Sequence, residues 1–150
     1  MKNREIMTPN PQWVSPETTL AEAARMMEAG NVGMLPVCQD RRLVGVLTDR
    51  DVAVRVVAPG RDPNHTVVRT VMSRVIISCR ADEEQETAAS MMKSHHVRRL
   101  PVLDEQEQLV GIISLSDLAV RPELQELALQ VLGDITRELD PLRALPASQS

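Results

Sequence analysis

Gly45-Val46-Leu47-Thr48-Asp49-Arg50-Asp51 and Gly111-Ile112-Ile113-Ser114-Leu115-Ser116-Asp117 are two versions of one phrase: a glycine, two apolar residues, a hydroxyl, and a carboxylate three positions after the hydroxyl. Outward from this pair the match continues. Met7 falls on Met72, Ala23-Ala24 on Ala88-Ala89, Met26-Met27 on Met91-Met92, Val32 on Val97, and Leu35-Pro36-Val37 on Leu100-Pro101-Val102. One offset serves all of these, and a single inserted residue near Gln106 brings the closing phrases into line. So long a match with one change of offset is an internal duplication.

The chain has 150 residues, enough for two small lobes that share a core, whereas neither half alone would bury enough apolar surface. Hydrophobic residues make up 43% and charged residues 25%, as in soluble globular proteins. Phe and Tyr are absent and Trp13 is the sole aromatic, so the core is built from Val, Leu, Ile, Ala and Met. A formal charge of −4 argues against nucleic acid as a partner, because that affinity rests on clustered Lys and Arg. No apolar run approaches the roughly 20 residues that span a bilayer, and the amino terminus lacks the apolar stretch of a secretion signal. The composition therefore reads as cytoplasmic, with no membrane partner. Cys38 and Cys79 occupy non-equivalent places in the two copies, which points to two reduced thiols and not to a repeated metal or disulfide framework.

Each copy opens on a segment ending in Met, followed by an expected strand around Gln12–Ser15 or Val75–Cys79. A helix comes next. In the first copy Thr19 and Glu22 have capping-box spacing, Leu20, Ala23, Ala24 and Met27 recur at helical intervals, and Gly30 suits a left-handed stop; in the second the helix is expected from about Asp82 to Ser94. Met34–Cys38 with Leu43–Leu47, and Leu100–Leu103 with Leu109–Ile113, read as neighbouring strands joined by charged turns. Asp49–Val57 and Ser116–Val120 read as closing helices. Beyond Pro122 a further helix carries Leu124, Leu127, Ala128, Val131, Ile135 and Leu139 on one stripe, to be buried against its own lobe or in a subunit interface.

This order of elements, the Leu-Pro-Val strand and the Gly-apolar-apolar-Thr/Ser-x-x-Asp ending resemble the cystathionine-β-synthase (CBS) domain family, over residues from about 4 to 121. Two tandem copies look like one Bateman module, and Leu47-Thr48-Asp49-Arg50-Asp51 resembles the small stand-alone bacterial members. The resemblance implies an α+β fold of two pseudo-symmetric repeats, each strand-helix-strand-strand-helix, packed as one module with a C-terminal helix. The divisions are repeat 1 over 4–58, a linker over 59–67, repeat 2 over 68–121, the helix over 122–140 and a disordered tail over 141–150. It also implies a regulatory module and not an enzyme, binding AMP, ADP or ATP in clefts between the copies, with NAD or S-adenosylmethionine as alternatives. A flat homodimer and an unidentified protein target come with it, and no cofactor. The rival is a structural docking module whose clefts are vestigial.

Physically, a carboxylate only accepts hydrogen bonds, so Asp51 or Asp117 can take both vicinal hydroxyls of a ribose. Thr48 and Ser114, with Ser116 beside the latter, sit where a hydroxyl and the free N–H groups of a helix start can meet a phosphate oxygen. Gly45 and Gly111 admit close backbone approach. The competing assignment is that Thr48 and Ser114 merely cap helices whose first turns favour the aspartates.

By the resemblance, Thr8, Gln12, Val14, Val32 and Gly33 line the Asp117 cleft, and Ser73, Val75, Ile77, Val97 and Arg98 line the Asp51 cleft. Arg98 and Arg99 are the phosphate candidates, since a planar guanidinium suits phosphate oxygens. Strand neighbours point to opposite faces, so one of the two is expected at the ligand, and the family pattern favours Arg98. Arg50 either adds charge to the Asp51 cleft or pairs with Asp49 or Asp51. Trp13 either stacks on a base or fills the lobe interface; His95 and His96 end a helix in solvent or against its carbonyls, without a metal role; and the paired methionines are core. No nucleophile–base pair stands out.

Overall fold

The computed structural model describes residues 1–138, so the tail expected over 141–150 and Leu139 of the helical stripe lie outside the described residues. In chain order the elements are α1 (Asn3–Ile6), β1 (Thr8–Pro9), α2 (Leu20–Gly30), β2 (Met34–Gln39), β3 (Arg42–Thr48), α3 (Asp49–Val52, continued by a π-helical turn over Ala53–Val57), β4 (Cys79–Arg80), α4 (Gln85–His95), β5 (Arg99–Leu103), β6 (Leu109–Ser114), α5 (Leu115–Ala119) and α6 (Gln125–Glu138). The class is α+β. The chain forms two compact units that are cut differently from its repeats: one holds residues 1–9, 77–102 and those from 111 onward, the other residues 10–76 and 103–110. The opening segment of each repeat therefore belongs to the unit built around the other repeat. No helix among the described residues is long and apolar enough to cross a membrane.

In the unit built on the second repeat, the sheet order is β1-β6-β5-β4, with Thr8 opposite Ile112 and Pro9 opposite Gly111 in antiparallel register. Ala88, Ala89 and Met92 of α4 are fully buried with Leu100, Val102 and Ile113 of the sheet, an aromatic-free core of the expected kind. The stripe is buried at Leu124, in the 3-10 turn just before α6, and at Ala128, Val131 and Ile135 of α6, and the helix packs on α4 and α5. Its own unit, one of the two burial partners expected for it, covers these positions. α4 starts at Gln85 and not near Asp82, because Arg80 and Glu83 close a turn first: the Arg80 N–H donates to Glu83 Oε1 at 2.6 Å.

In the other unit, β2 and β3 form an antiparallel pair with Met34 opposite Thr48 and Leu35 opposite Leu47, bulged between Val37 and Cys38. The expected strand over Gln12–Ser15 shrinks to one bridge, Val14 to Val37. Pro11 and Pro16 flank it, and a residue without an N–H cannot extend a ladder. Val75–Ile77 likewise stays out of any strand; of the segment expected to pair there, only Cys79 does. α2 is capped as its sequence suggests, Thr19 Oγ1 accepting from the Glu22 N–H at 3.2 Å. Its left-handed stop is Asn31 (φ 50°), and Gly30 is still helical. Asparagine tolerates that conformation better than most residues with a side chain.

The glycines that open the two closing phrases have a structural task. A Cβ on Gly45 would lie 2.8 Å from the Ser73 carbonyl oxygen and 2.8 Å from Met72 Sδ. One on Gly111 would run into the Met7 side chain and lie 3.0 Å from the Thr8 carbonyl oxygen. The close approach they admit is thus that of the opening segment donated by the other repeat. Gly45→Ala and Gly111→Ala should each cost about 1–3 kcal/mol by overpacking. Thermal unfolding should show each midpoint lowered by roughly 3–10 °C; an unmoved midpoint would mean that this approach is not tight.

Candidate functional site

Both closing phrases end a strand and start a short helix, and in both the hydroxyl and the carboxylate bind each other's backbone. Thr48 Oγ1 accepts from the Asp51 N–H at 3.1 Å while Asp51 Oδ2 accepts from the Thr48 N–H at 2.9 Å. Ser114 and Asp117 repeat this at 3.3 and 2.8 Å. The capping role is therefore present in both copies. It also removes something expected of them: the Asp51 and Asp117 N–H groups are taken, and the N–H groups of Asp49 and Leu115 donate to the carbonyls of Gly33 and Arg98 at 2.9 and 2.8 Å. Helix-start N–H groups are mostly spent, so anion binding falls to side chains.

Each aspartate has one oxygen left. In Asp51 it lies 3.9 Å from Arg55 Nε, and Arg55 also donates to the Val71 carbonyl at 3.0 Å. In Asp117 the second oxygen has no hydrogen-bond partner among the described residues. Arg50 is exposed and forms no ion pair among the described residues, so neither expected pairing, with Asp49 or with Asp51, is made. Arg55, one turn beyond Asp51, was the basic residue to look for.

A cavity of about 360 Å³ opens beside the second phrase, walled by Arg98, Arg99, Ser114, Leu115, Ser116, Ala119 and Leu132. The Ser114 and Ser116 hydroxyls are 2.7 Å apart within it. Arg98 and Arg99 both line this wall. Arg98 precedes the first residue of β5, so strand alternation does not yet separate it from its neighbour. An apolar hollow of about 230 Å³, walled in part by Leu115, Ala119, Ala128 and Leu129, shares Leu132 with the cavity. Leu132 lies off the buried stripe of α6, and nothing in its spacing marks it as a wall residue.

The remaining expected residues divide between the units. Thr8, Ile77, Val97, Arg98, Arg99, Ser114, Ser116 and Asp117 belong to one; Gln12, Val14, Val32, Gly33, Thr48, Arg50, Asp51, Ser73 and Val75 belong to the other. Arg98, assigned by resemblance to the Asp51 cleft, stands against the Ser114 phrase of its own repeat, and Gly33 against the Asp49 phrase of its own. The side chain of Val14 is 3% exposed and its backbone is bonded to β2, whereas Val75 is 77% exposed. Ser73 is tied to β3 through both backbone bonds to Val46, at 3.0 and 2.9 Å. Trp13 is 41% exposed. His95 is exposed, and His96 ends α4 in the left-handed region at φ 54°. Among the described residues no group of three or more His, Cys, Asp or Glu side chains could hold a metal ion.

A family model of the CBS domain matches residues 4–58 and again 68–122. The CBS domain-containing protein YhcV of Bacillus subtilis is 42% identical over 135 residues, 90% of this chain and 95% of its own. The crystal structure of Hypoxic Response Protein I with two coordinated zinc ions superposes with a TM-score of 0.73 at 36% identity, covering 79% of this chain and 97% of that one. The crystal structure of CBSX2 in complex with AMP superposes with a TM-score of 0.68 at 26% identity, covering 87% and 98%.

The two thiols stand apart from these features. Cys38 and Cys79 are both buried; burial pushes the Cys38 thiol up to about 11, partly offset by Arg41, and burial with the nearby Glu83 charge pushes Cys79 up to about 12. The thiolate is the reactive species, so both stay protonated and inert near neutral pH. The Cys79 S–H also points to the Pro101 carbonyl at 3.8 Å. A chromogenic disulfide reagent should label neither cysteine in the folded protein and both in denaturant; rapid native labelling would contradict the buried, protonated state.

Proposed function

Because the chain belongs to the CBS domain family, carrying two CBS domains in tandem, we propose that it is a regulatory module whose second-repeat site binds an adenine nucleotide of the AMP, ADP or ATP class. One observation carries this. Asp117 spends one oxygen on the Ser114 N–H and keeps the other without a hydrogen-bond partner among the described residues, while Ser114 and Ser116 of the same phrase, with Arg98 and Arg99, wall a cavity whose lining does not itself include Asp117. At about 360 Å³ that cavity falls within the roughly 300–1,000 Å³ of small-molecule sites. The free oxygen of Asp117 supplies the acceptor that ribose hydroxyls need, and Ser114, Ser116 and the two guanidiniums supply donors suited to phosphate oxygens. The AMP complex of CBSX2 supports the ligand class. NAD and S-adenosylmethionine are the alternatives that a ligand screen separates.

Occupancy regulates a partner only if the ligand binds two shapes of the module unequally. The rival function, association alone with vestigial sites, has a specific observation behind it. Val54 and Val120 occupy matching positions of the two repeats and are 51% and 75% exposed, so each unit presents an apolar residue to solvent that a homodimer or a protein target could cover. Ligand-induced stabilisation separates the two, since a bound ligand raises the unfolding midpoint as RT ln(1 + [L]/Kd) grows. A midpoint indifferent to AMP, ATP, NAD and S-adenosylmethionine favours the rival.

Asp117→Asn is the sharper variant, because its amide oxygen can keep the capping bond while an NH2 replaces the free acceptor. A hydrogen bond to a charged group is worth about 1.5–3 kcal/mol, so AMP affinity by calorimetry should fall about tenfold to a hundredfold. Arg98→Ala should weaken AMP more than adenosine. Unchanged AMP affinity in Asp117→Asn would remove the ribose assignment.

A further inference from the structure

The two copies part company at one coupled pair of positions. In the second copy the Arg98 carbonyl accepts from the Leu115 N–H at 2.8 Å; in the first, the Gly33 carbonyl accepts from the Asp49 N–H at 2.9 Å. The backbones correspond, and the side chains are inverted. Where one copy has a cation beside an apolar residue, the other has no side chain beside an anion.

Gly33 is not required by backbone conformation, since Gly60 is the glycine with positive φ in this chain. Space requires it. A Cβ on Gly33 would lie 2.9 Å from Asp49 Oδ2 and 3.3 Å from its Cγ, so the carboxylate occupies the volume into which residue 33 would project. Arg98 and Leu115 wall the second copy's cavity; the corresponding surface in the first copy is a carboxylate. Nearby cations do not cancel it. Arg55 donates to the Val71 carbonyl at 3.0 Å and stands 3.9 Å from Asp51, and neither it nor Arg50 makes an ion pair with Asp49 among the described residues. A favourable charge at a helix start would explain an aspartate at 49 with any neighbour, but not the bare position 33 beside it.

We propose that Gly33 and Asp49 are a specificity device that makes the first-repeat site reject phosphate and accept an uncharged adenosine-type nucleoside. This rests on the adenosine-derivative reading of the closing phrases. Asp51 keeps the chemistry that accepts ribose hydroxyls, while Asp49 sets a negative charge where the other copy sets Arg98. Like charges at close quarters oppose binding, and the loss of the guanidinium removes the phosphate's partner. Discrimination of this kind is built from repulsion of the wrong ligand as much as from attraction of the right one.

The test isolates the first-repeat site by using Asp117→Asn/Arg98→Ala as background and titrating adenosine and AMP by calorimetry, after the same titrations on the wild-type chain. In the background, adenosine should bind at least as tightly as AMP. Adding Gly33→Arg with Asp49→Leu, which transplants the second copy's pair, should raise the ratio of AMP to adenosine affinity by about tenfold or more; Asp49→Asn alone should raise it less. AMP binding more tightly than adenosine in the background, or a ratio unmoved by the transplant, overturns the proposal. So does a background that binds neither ligand. A wild-type chain that binds no adenosine derivative at all instead brings down the reading on which it stands, and a circular-dichroism melt confirms that each variant is folded.

Discussion

A short antiparallel ladder controls where every chemical group of the site ends up. Because β2 and β3 run in opposite directions, the last residue of β3, Thr48, lies opposite the first of β2, Met34. The end of one strand is thereby brought beside the start of its neighbour. The helix that follows inherits this proximity, and its first N–H closes onto the carbonyl just ahead of the neighbouring strand, Gly33 before β2 in one copy and Arg98 before β5 in the other. Sequence positions far apart in the chain become a single corner. Side chains at that corner can be exchanged without touching the ladder, which is why the same backbone serves two different charge patterns.

The corner also shows how one carboxylate can hold a helix and remain available to a ligand. A carboxylate has roughly four lone-pair sites over two oxygens, and the bond from the Ser114 N–H uses only one oxygen of Asp117. Fixing that oxygen restricts the side chain to a few orientations, so the free oxygen is presented with little remaining entropy to lose. Capping by one oxygen therefore does not exclude a ligand at the other, and on the proposed reading the two roles support each other. In Asp51 the second oxygen faces Arg55 at 3.9 Å, on a guanidinium that is itself half in solvent, so the competition for it is weak and screened.

Much of this was legible in the sequence, and the losses have physical causes. The duplication fixed the element order, and Thr48 and Ser114 announced their caps through spacing alone. The stripe through Leu124 and α6 named the buried face at Leu124, Ala128, Val131 and Ile135, though periodicity says nothing about what covers a face. Pro11 and Pro16 limited the opening strand to a bridge, which an apolar pattern read without its flanking prolines misses. The glycines at 45 and 111 were visible as points of close approach, but the approaching group is backbone from the other repeat and not a ligand. Leu132 left no trace, because a wall residue on an exposed helical face has no spacing that distinguishes it. The polarity inversion at Asp49 and Leu115 stood in plain view between the aligned phrases, yet its meaning needed the carbonyl to which each N–H turns.

Duplication followed by inversion at one corner has a thermodynamic consequence for a regulatory module. Two equal sites report one concentration, and the second merely steepens or extends the response to the same species. Two sites with unlike charge respond to unlike species, and each shifts the module only by its own difference in affinity between shapes. If both ligands favour one shape they reinforce each other; if they favour opposite shapes, the populations follow their ratio and not either level alone. Linkage makes that coupling reciprocal whatever its sign. On the proposed reading, a charge placed at position 98 and opposed at position 49 is a small change by which a repeated fold would acquire two inputs, since the cap and the ladder are left in place.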